Sequence, residues 1–136
     1  MTDNAKIPSN NKNIVRAIYT AGSRHDIAGF SAMLDADFVL DAPGYLPWGG
    51  RSSRTAYLQS VIPQVVQVLD FTRLRYVSLT AEEDRVVAVI DLGVAGTSDF
   101  VLISEHWTVR NEKATALWIA YQEPEKLMAR LQAIAA

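Results

Sequence analysis

An α+β fold is predicted by three observations. Apolar residues recur at three- and four-residue steps through the first half of the 136-residue chain. They switch to every second residue from Phe71 onward, and the separators in that second half are short and polar. Helices therefore come first and an antiparallel sheet follows. The length predicts one domain, with a core large enough to need no covalent staple.

Residues 1–12 are polar and rich in Asn, and are expected to form a flexible leader to a single domain over 13–136. In 13–23, Ile14, Val15, Ile18 and Tyr19 fall at helical spacing and Gly22 is placed to end the helix. Asp26 can cap a second helix with Ile27, Phe30, Met33 and Leu34 on its face. Residues 37–42 read as a short strand stopped by Pro43-Gly44. The stretch 45–50 is a loop by its Gly and Pro content, yet it carries Tyr45 and Trp48, so it is expected to fold over the core. A third helix is predicted over 53–68, with Tyr57, Leu58, Val61, Ile62 and Val65 as its stripe and Pro63 as a kink or restart.

Strands are predicted over 71–79, 85–95, 99–110 and 114–122, the last three as a meander. In 85–95 one face is wholly apolar: Val86, Ala88, Ile90, Leu92 and Val94. In 114–122 both faces are apolar, with Leu117, Ile119 and Tyr121 on one and Ala116, Trp118 and Ala120 on the other. Helices can cover only one side of such a sheet, so the outer face is expected to pair with a second copy as a homodimer. Pro124 suits the first turn of a closing helix over 124–134, whose face is Leu127, Met128, Leu131 and Ile134.

Composition narrows the function. With no cysteine there is neither a disulfide nor a thiolate metal site, which is compatible with a reducing compartment, and a cytoplasmic location is expected. The 13 basic and 15 acidic residues leave a net charge of −2 without a basic block, which argues against nucleic acid as a partner. No apolar run approaches the roughly 20 residues of a membrane span. His25 and His106 are far apart and lack ligand-spaced companions, so no metal is expected.

Glu105 is the one charged residue on the strand face Val101, Ile103, Glu105, Trp107, Val109. A buried ionised acid costs several kcal/mol unless it is hydrogen-bonded or held neutral, and either arrangement serves a pocket. The structural alternative is an ion pair with Arg73 or Arg75. Asp41 is a second candidate acid, as a general base. Alternation leaves open whether Asp41, with Val39, or Ala42, with Phe38 and Leu40, faces inward. Tyr19 and Tyr57 can donate phenol protons to a ligand oxygen. His106 lies on the face opposite Glu105, and His25 in a turn.

The run Asp37-Phe38-Val39-Leu40-Asp41-Ala42-Pro43-Gly44, the loop Leu46-Pro47-Trp48-Gly49-Gly50, the strand Glu105-His106-Trp107-Thr108-Val109, Tyr121-Gln122-Glu123, and Tyr19 placed before Asp26 resemble the nuclear transport factor 2-like superfamily. The likeness is to its SnoaL-like and ketosteroid-isomerase-like branches and covers residues 13–131. It implies a cone: a curved antiparallel sheet wrapped around three N-terminal helices, with a short C-terminal helix and an apolar cavity at its open end. Phe30, Trp48, Tyr57, Val61, Trp107, Ile119 and Tyr121 are expected to line that cavity. Glu105-His106 is similar to the acid-histidine pair that supplies an oxyanion donor in ketosteroid isomerase, with Tyr19 near its tyrosine donor and Asp41 or Ala42 near its base. In SnoaL-like cyclases an acid stands near the end of the last strand, where Glu123 is the nearest match. The resemblance implies a cofactor-free isomerase or cyclase that binds a small apolar cyclic molecule, with Glu105 as neutral donor and Asp41 or water as base. A non-catalytic binding or dimerisation module of the same fold is the alternative.

Overall fold

A computed structural model describes residues 6–135. Helix α1 (Lys6–Ser23) is followed by α2 (Ile27–Ala32), strands β1 (Leu34–Ala42) and β2 (Gly50–Ser53), and a helical segment made of α3 (Arg54–Ala56), a π turn (Tyr57–Val61) and α4 (Ile62–Val68). Strands β3 (Leu69–Glu82), β4 (Arg85–Val94), β5 (Phe100–Arg110) and β6 (Lys113–Gln122) then lead to α5 (Glu125–Ala135).

All six strands form one curved, unclosed sheet in the order β2-β1-β6-β5-β4-β3. Strands β3 to β6 make the predicted antiparallel ladder. Register shifts at Asp70/Leu74 and Tyr76/Ser78 in the β3–β4 pairing are bulges of the kind that bend a strand. The inner face carries Val86, Ala88, Ile90 and Leu92 from β4, and Val101, Ile103, Glu105, Trp107 and Val109 from β5, all buried. Val15 and Ile18 of α1 and Phe38 and Leu40 of β1 complete this core. The two-residue period thus fixes which residues of β5 face the helices, and Glu105 is among them.

Local propensity misses four features. Helix α1 begins at Lys6, so residues 6–12 are not a flexible leader, and residues 1–5 lie outside the described residues. The cause is tertiary: Asn11 is buried, and its Nδ2 donates to the carbonyls of Glu83 at 3.1 Å and Val109 at 3.4 Å. Strand β1 starts at Leu34, which the periodicity had assigned to the second helix, and it runs parallel to β6. Strand β2 pairs with β1 through Asp41↔Arg51, a four-residue edge too short to show a period. The predicted third helix passes through a π turn, with the Ile62 N–H bonded to the Tyr57 carbonyl, just ahead of Pro63, which has no N–H to give.

The aromatic loop does fold inward. Leu46 and Trp48 are buried, and the turn is closed by the Gly49 N–H donating to the Leu46 carbonyl at 2.9 Å. A Cβ on Gly49 would collide with the Pro43 carbonyl, so only glycine fits there.

Candidate functional site

The helices do not fill the concave face of the sheet completely. Between α1, α2, the π turn, α4 and the inner strands lies an apolar cavity of about 70 Å³. Six of the expected residues, Phe30, Trp48, Tyr57, Val61, Trp107 and Ile119, line it, and Tyr121 joins them from the end of β6. Its mouth is rimmed by His25, Asp26, Ile27 and Val66, of which Ile27 is 60% and Val66 40% exposed. The rim conformation follows from the sequence: His25 takes a left-handed turn (φ 56°) and Asp26 caps α2 by accepting from the Gly29 N–H at 2.9 Å.

Glu105 sits at the inner wall, only 7% exposed, between Ala88 of β4 and Ile119 of β6. The Tyr19 hydroxyl donates to Glu105 Oε1 at 2.5 Å, and the Trp107 indole N–H donates to the Tyr19 oxygen at 3.0 Å. The Tyr19 ring is held edge-on between those of Trp107 and Tyr76. Among the described residues no second hydrogen bond reaches the carboxyl, which leaves Oε2 for the cavity. Burial pushes the Glu105 pKa from 4.5 up to about 7, and the Tyr19 hydrogen bond opposes that rise. Burial and then the Glu105 charge raise the Tyr19 phenol well above its ordinary value, so it remains a donor.

Two further phenols share this space. Tyr57 is buried between Phe30 and Phe38, with ring centroids 5.9 and 5.1 Å away, and burial followed by the Glu105 charge raises its pKa. Tyr121 is raised by the same two causes in the same order. Neither hydroxyl has a hydrogen-bond partner among the described residues. No Lys or Arg lines the cavity. The site therefore offers one buried carboxyl, Glu105, and phenol donors inside apolar walls, with Asp26 at the exposed rim.

Other expected residues lie elsewhere. Asp41 is on the outer face of β1, gripped by Arg51 at 3.0 and 3.1 Å, because the inward set is Phe38, Leu40 and Ala42. Asp41 is therefore not among the residues that line the cavity. Glu123 is exposed beyond β6 in a left-handed conformation (φ 53°), outside the cavity. Neither arginine reaches Glu105: Arg73 binds Asp70 at 3.0 Å and Arg75 binds Asp91 at 2.6 Å. His106 faces outward as expected, stacked on Trp118 with ring centroids 3.5 Å apart and its Nε2 2.6 Å from Ser104 Oγ. The Trp107–Tyr19 bond was not legible in the sequence, since the two residues are 88 positions apart and no local pattern couples them.

Among the described residues no helix is long and apolar enough to cross a membrane, and no group of three or more His, Cys, Asp or Glu is placed to hold a metal ion.

Comparison with known proteins agrees with this geometry at the level of fold. An NTF2-like protein from Burkholderia xenovorans LB400 is 22% identical, over 93% of this chain and 96% of its own, with a TM-score of 0.70. TerC, crystallised with polyporic acid, is 23% identical over 93% and 99%, with a TM-score of 0.72. A Kribbella flavida protein provisionally assigned as a ketosteroid isomerase is 14% identical over 85% and 80%, with a TM-score of 0.70. No curated protein matches the chain. Residues 15–117 match the SnoaL-like domain family, the stretch that runs from α1 to the middle of β6 and carries both Tyr19 and Glu105, and the chain belongs to that family.

Proposed function

We propose that this SnoaL-like protein is a cofactor-free acid-base enzyme that moves a proton at a carbon next to a carbonyl, as an isomerase or cyclase acting on an apolar cyclic compound. The observation that carries this reading is the buried Glu105, whose pKa of about 7 keeps both protonation states populated near neutrality. With Asp41 outside the cavity, Glu105 has no companion carboxyl on the inner wall, so the role of base falls to it. Its Oε2 takes the α-proton, the electron pair moves into the enolate, and the same carboxyl returns the proton to carbon. Tyr19 holds Oε1, and the phenols at the inner end meet the enolate oxygen. TerC, of the same fold, was crystallised with polyporic acid, which supports a small organic ligand here. A cysteine-free chain needs no oxidising compartment, and the cytoplasm is the location this reading assigns.

Exchange of α-protons for solvent deuterium tests the proposal. A panel of ketones with one to four rings, followed by proton NMR in D₂O, is expected to include at least one whose exchange the protein accelerates over buffer. The rate should rise as pH passes about 7, where Glu105 ionises. If no ketone of the panel exchanges faster with protein, the reading gives way to a binding module, which the outward position of Asp41 favours.

The outer sheet face is the proposed contact with a second copy. It presents Val87 and Val89 of β4, Leu102 of β5 and Ala116, Trp118 and Ala120 of β6, with Trp118 50% exposed although it stacks on His106. Exposed tryptophans are frequent anchors of interfaces. Light scattering at micromolar concentration should give a dimer mass for the native chain and a monomer mass for Trp118→Glu. A monomeric native chain would remove the proposed interface.

A further inference from the structure

At about 70 Å³ the cavity is well below the roughly 150 Å³ that holds a single benzene ring and the roughly 300–1,000 Å³ of sites that enclose larger ligands. A wall has to move before a ring compound can enter, and the walls are not equally firm. The strands are locked in their ladders. Helix α1 is pinned through Asn11 and buries Val15 and Ile18. The π turn and α4 bury Tyr57, Val61, Val65 and Val68, and the loop over 45–50 buries Leu46 and Trp48. Helix α2 buries Phe30 alone.

The attachment of α2 is correspondingly slight. Both flanks are anchored: the Asp26 N–H donates to the Ala21 carbonyl at 2.9 Å, and the Met33 carbonyl accepts from the Ala114 N–H at 2.8 Å. Between them stand six residues, Ile-Ala-Gly-Phe-Ser-Ala, with Ile27, Ala28 and Ala32 exposed. A glycine in the middle of so short a helix weakens it further. Two contacts tie these six residues to the rest of the site. The Phe30 ring lies against Tyr57, with centroids 5.9 Å apart, and Arg54 Nη2 donates to the Ser31 carbonyl at 2.8 Å. Among the described residues no other hydrogen bond joins 27–32 to anything beyond its own flanks.

Arg54 is placed for this contact by its own backbone, since Ser53 caps α3 by accepting from the Ala56 N–H at 3.2 Å. Its guanidinium is poorly satisfied there. Nε is buried without a hydrogen-bond partner among the described residues, a cost that makes the closed position easy to leave.

We propose that α2 is the gate of this cavity and Arg54 its latch: the helix lifts off Tyr57 between its anchored flanks, and a ligand enters beneath it at the rim formed by Ile27 and Val66. This rests on reading the cavity as a ligand site but on no reaction there. Absence of α-proton exchange would refute the catalytic reading and leave the gate standing; the experiment below can refute the gate alone.

The chain has no cysteine, so a thiol placed in the cavity reports opening without background. Val61→Cys puts one on the cavity wall, and Val86→Cys puts one in the core away from the cavity. Both are labelled with methyl methanethiosulfonate, a small uncharged reagent whose reaction rate follows the population of the open form. Val61→Cys should react at least about tenfold faster than Val86→Cys, whose exposure requires the sheet itself to open. Adding Arg54→Met, which keeps the apolar stem and removes the donor, should speed the cavity thiol about tenfold through loss of one hydrogen bond, and change the core thiol less than about twofold. Asp26→Ala, which removes the α2 cap, should act in the same direction by about fivefold. Amide hydrogen exchange gives the same comparison without any cysteine: the Phe30 amide should exchange faster in Arg54→Met and the Ile103 amide should not. A cavity thiol that reacts no faster than the core thiol overturns the proposal, as does a rate unchanged by Arg54→Met. Acceleration of both thiols together also overturns it, since Arg54 would then support the whole fold and not the gate.

Discussion

Glu105→Gln is expected to lower the α-proton exchange rate by about 10²- to 10⁴-fold, the usual contribution of a positioned general base. The amide keeps the shape of the side chain and can still accept from Tyr19, so the cavity should persist while the proton acceptor is lost. Glu105→Asp is the more stringent variant, because it retains a carboxyl and shortens its reach by one methylene. A displacement of about 1 Å from the productive geometry is itself worth about 10²-fold, so the shorter acid should fall nearly as far. Asp41→Asn serves as the contrast. Asp41 lies on the opposite face of the sheet with Arg51, and its replacement should change the rate by less than about twofold, since an exposed ion pair contributes little. Exchange that survives in Glu105→Gln would transfer the role of base to water or to a phenol.

The second large effect concerns stability. The folded-state pKa of Glu105, about 7, lies above its ordinary value of 4.5, so between those limits the folded protein binds a proton that the unfolded chain has released. Stability attributable to this group is therefore fully present below about pH 4.5 and is lost as pH rises to and through about 7. The shift corresponds to about 3 kcal/mol across that window, an order-of-magnitude figure for a wholly buried acid. Urea unfolding of native protein and Glu105→Gln at matched pH isolates the effect, because other titrating groups cancel in the difference. That difference should decline from pH 4.5 to about pH 7 and level off above it. Tyr19→Phe removes the hydrogen bond that favours the ionised form, so its decline should extend to higher pH. A pH-independent difference between the native chain and Glu105→Gln would mean that the carboxyl is not desolvated in the way its burial implies.

The same desolvation lets a single buried acid both hold and release a proton near neutral pH. An isolated carboxyl near its ordinary pKa is a weak base at neutrality, and a fully buried one without a partner is not ionised at all. Tyr19 supplies one strong hydrogen bond, and Trp107 polarises that phenol in turn. The balance between burial and this chain of donors leaves the group close to half ionised near neutral pH. Removing either donor moves the balance.

Much of this was legible from residue order alone. Two-residue alternation along 99–110 suffices to put Glu105 and Trp107 inward and His106 outward, because a strand offers only two sides and apolar neighbours choose between them. Helical stripes likewise identified Ile18, Tyr19, Phe30 and Val61 as inward-facing, and the glycine- and proline-rich loop around Trp48 as a cover. The period could not choose between Asp41 and Ala42. That choice depends on pairing β1 in parallel with β6, a strand more than 70 positions later, and on the Arg51 guanidinium that a four-residue edge strand brings beside Asp41. Nor could local pattern place Asn11, whose helix is held by the distant carbonyls of Glu83 and Val109, or join Trp107 to Tyr19 and Tyr19 to Glu105. Alternation is a property of neighbouring residues and is written in the chain. Which acid is desolvated, which is neutralised by a cation, and which phenol is left free depend on approaches between distant segments, and only the folded sheet brings those about.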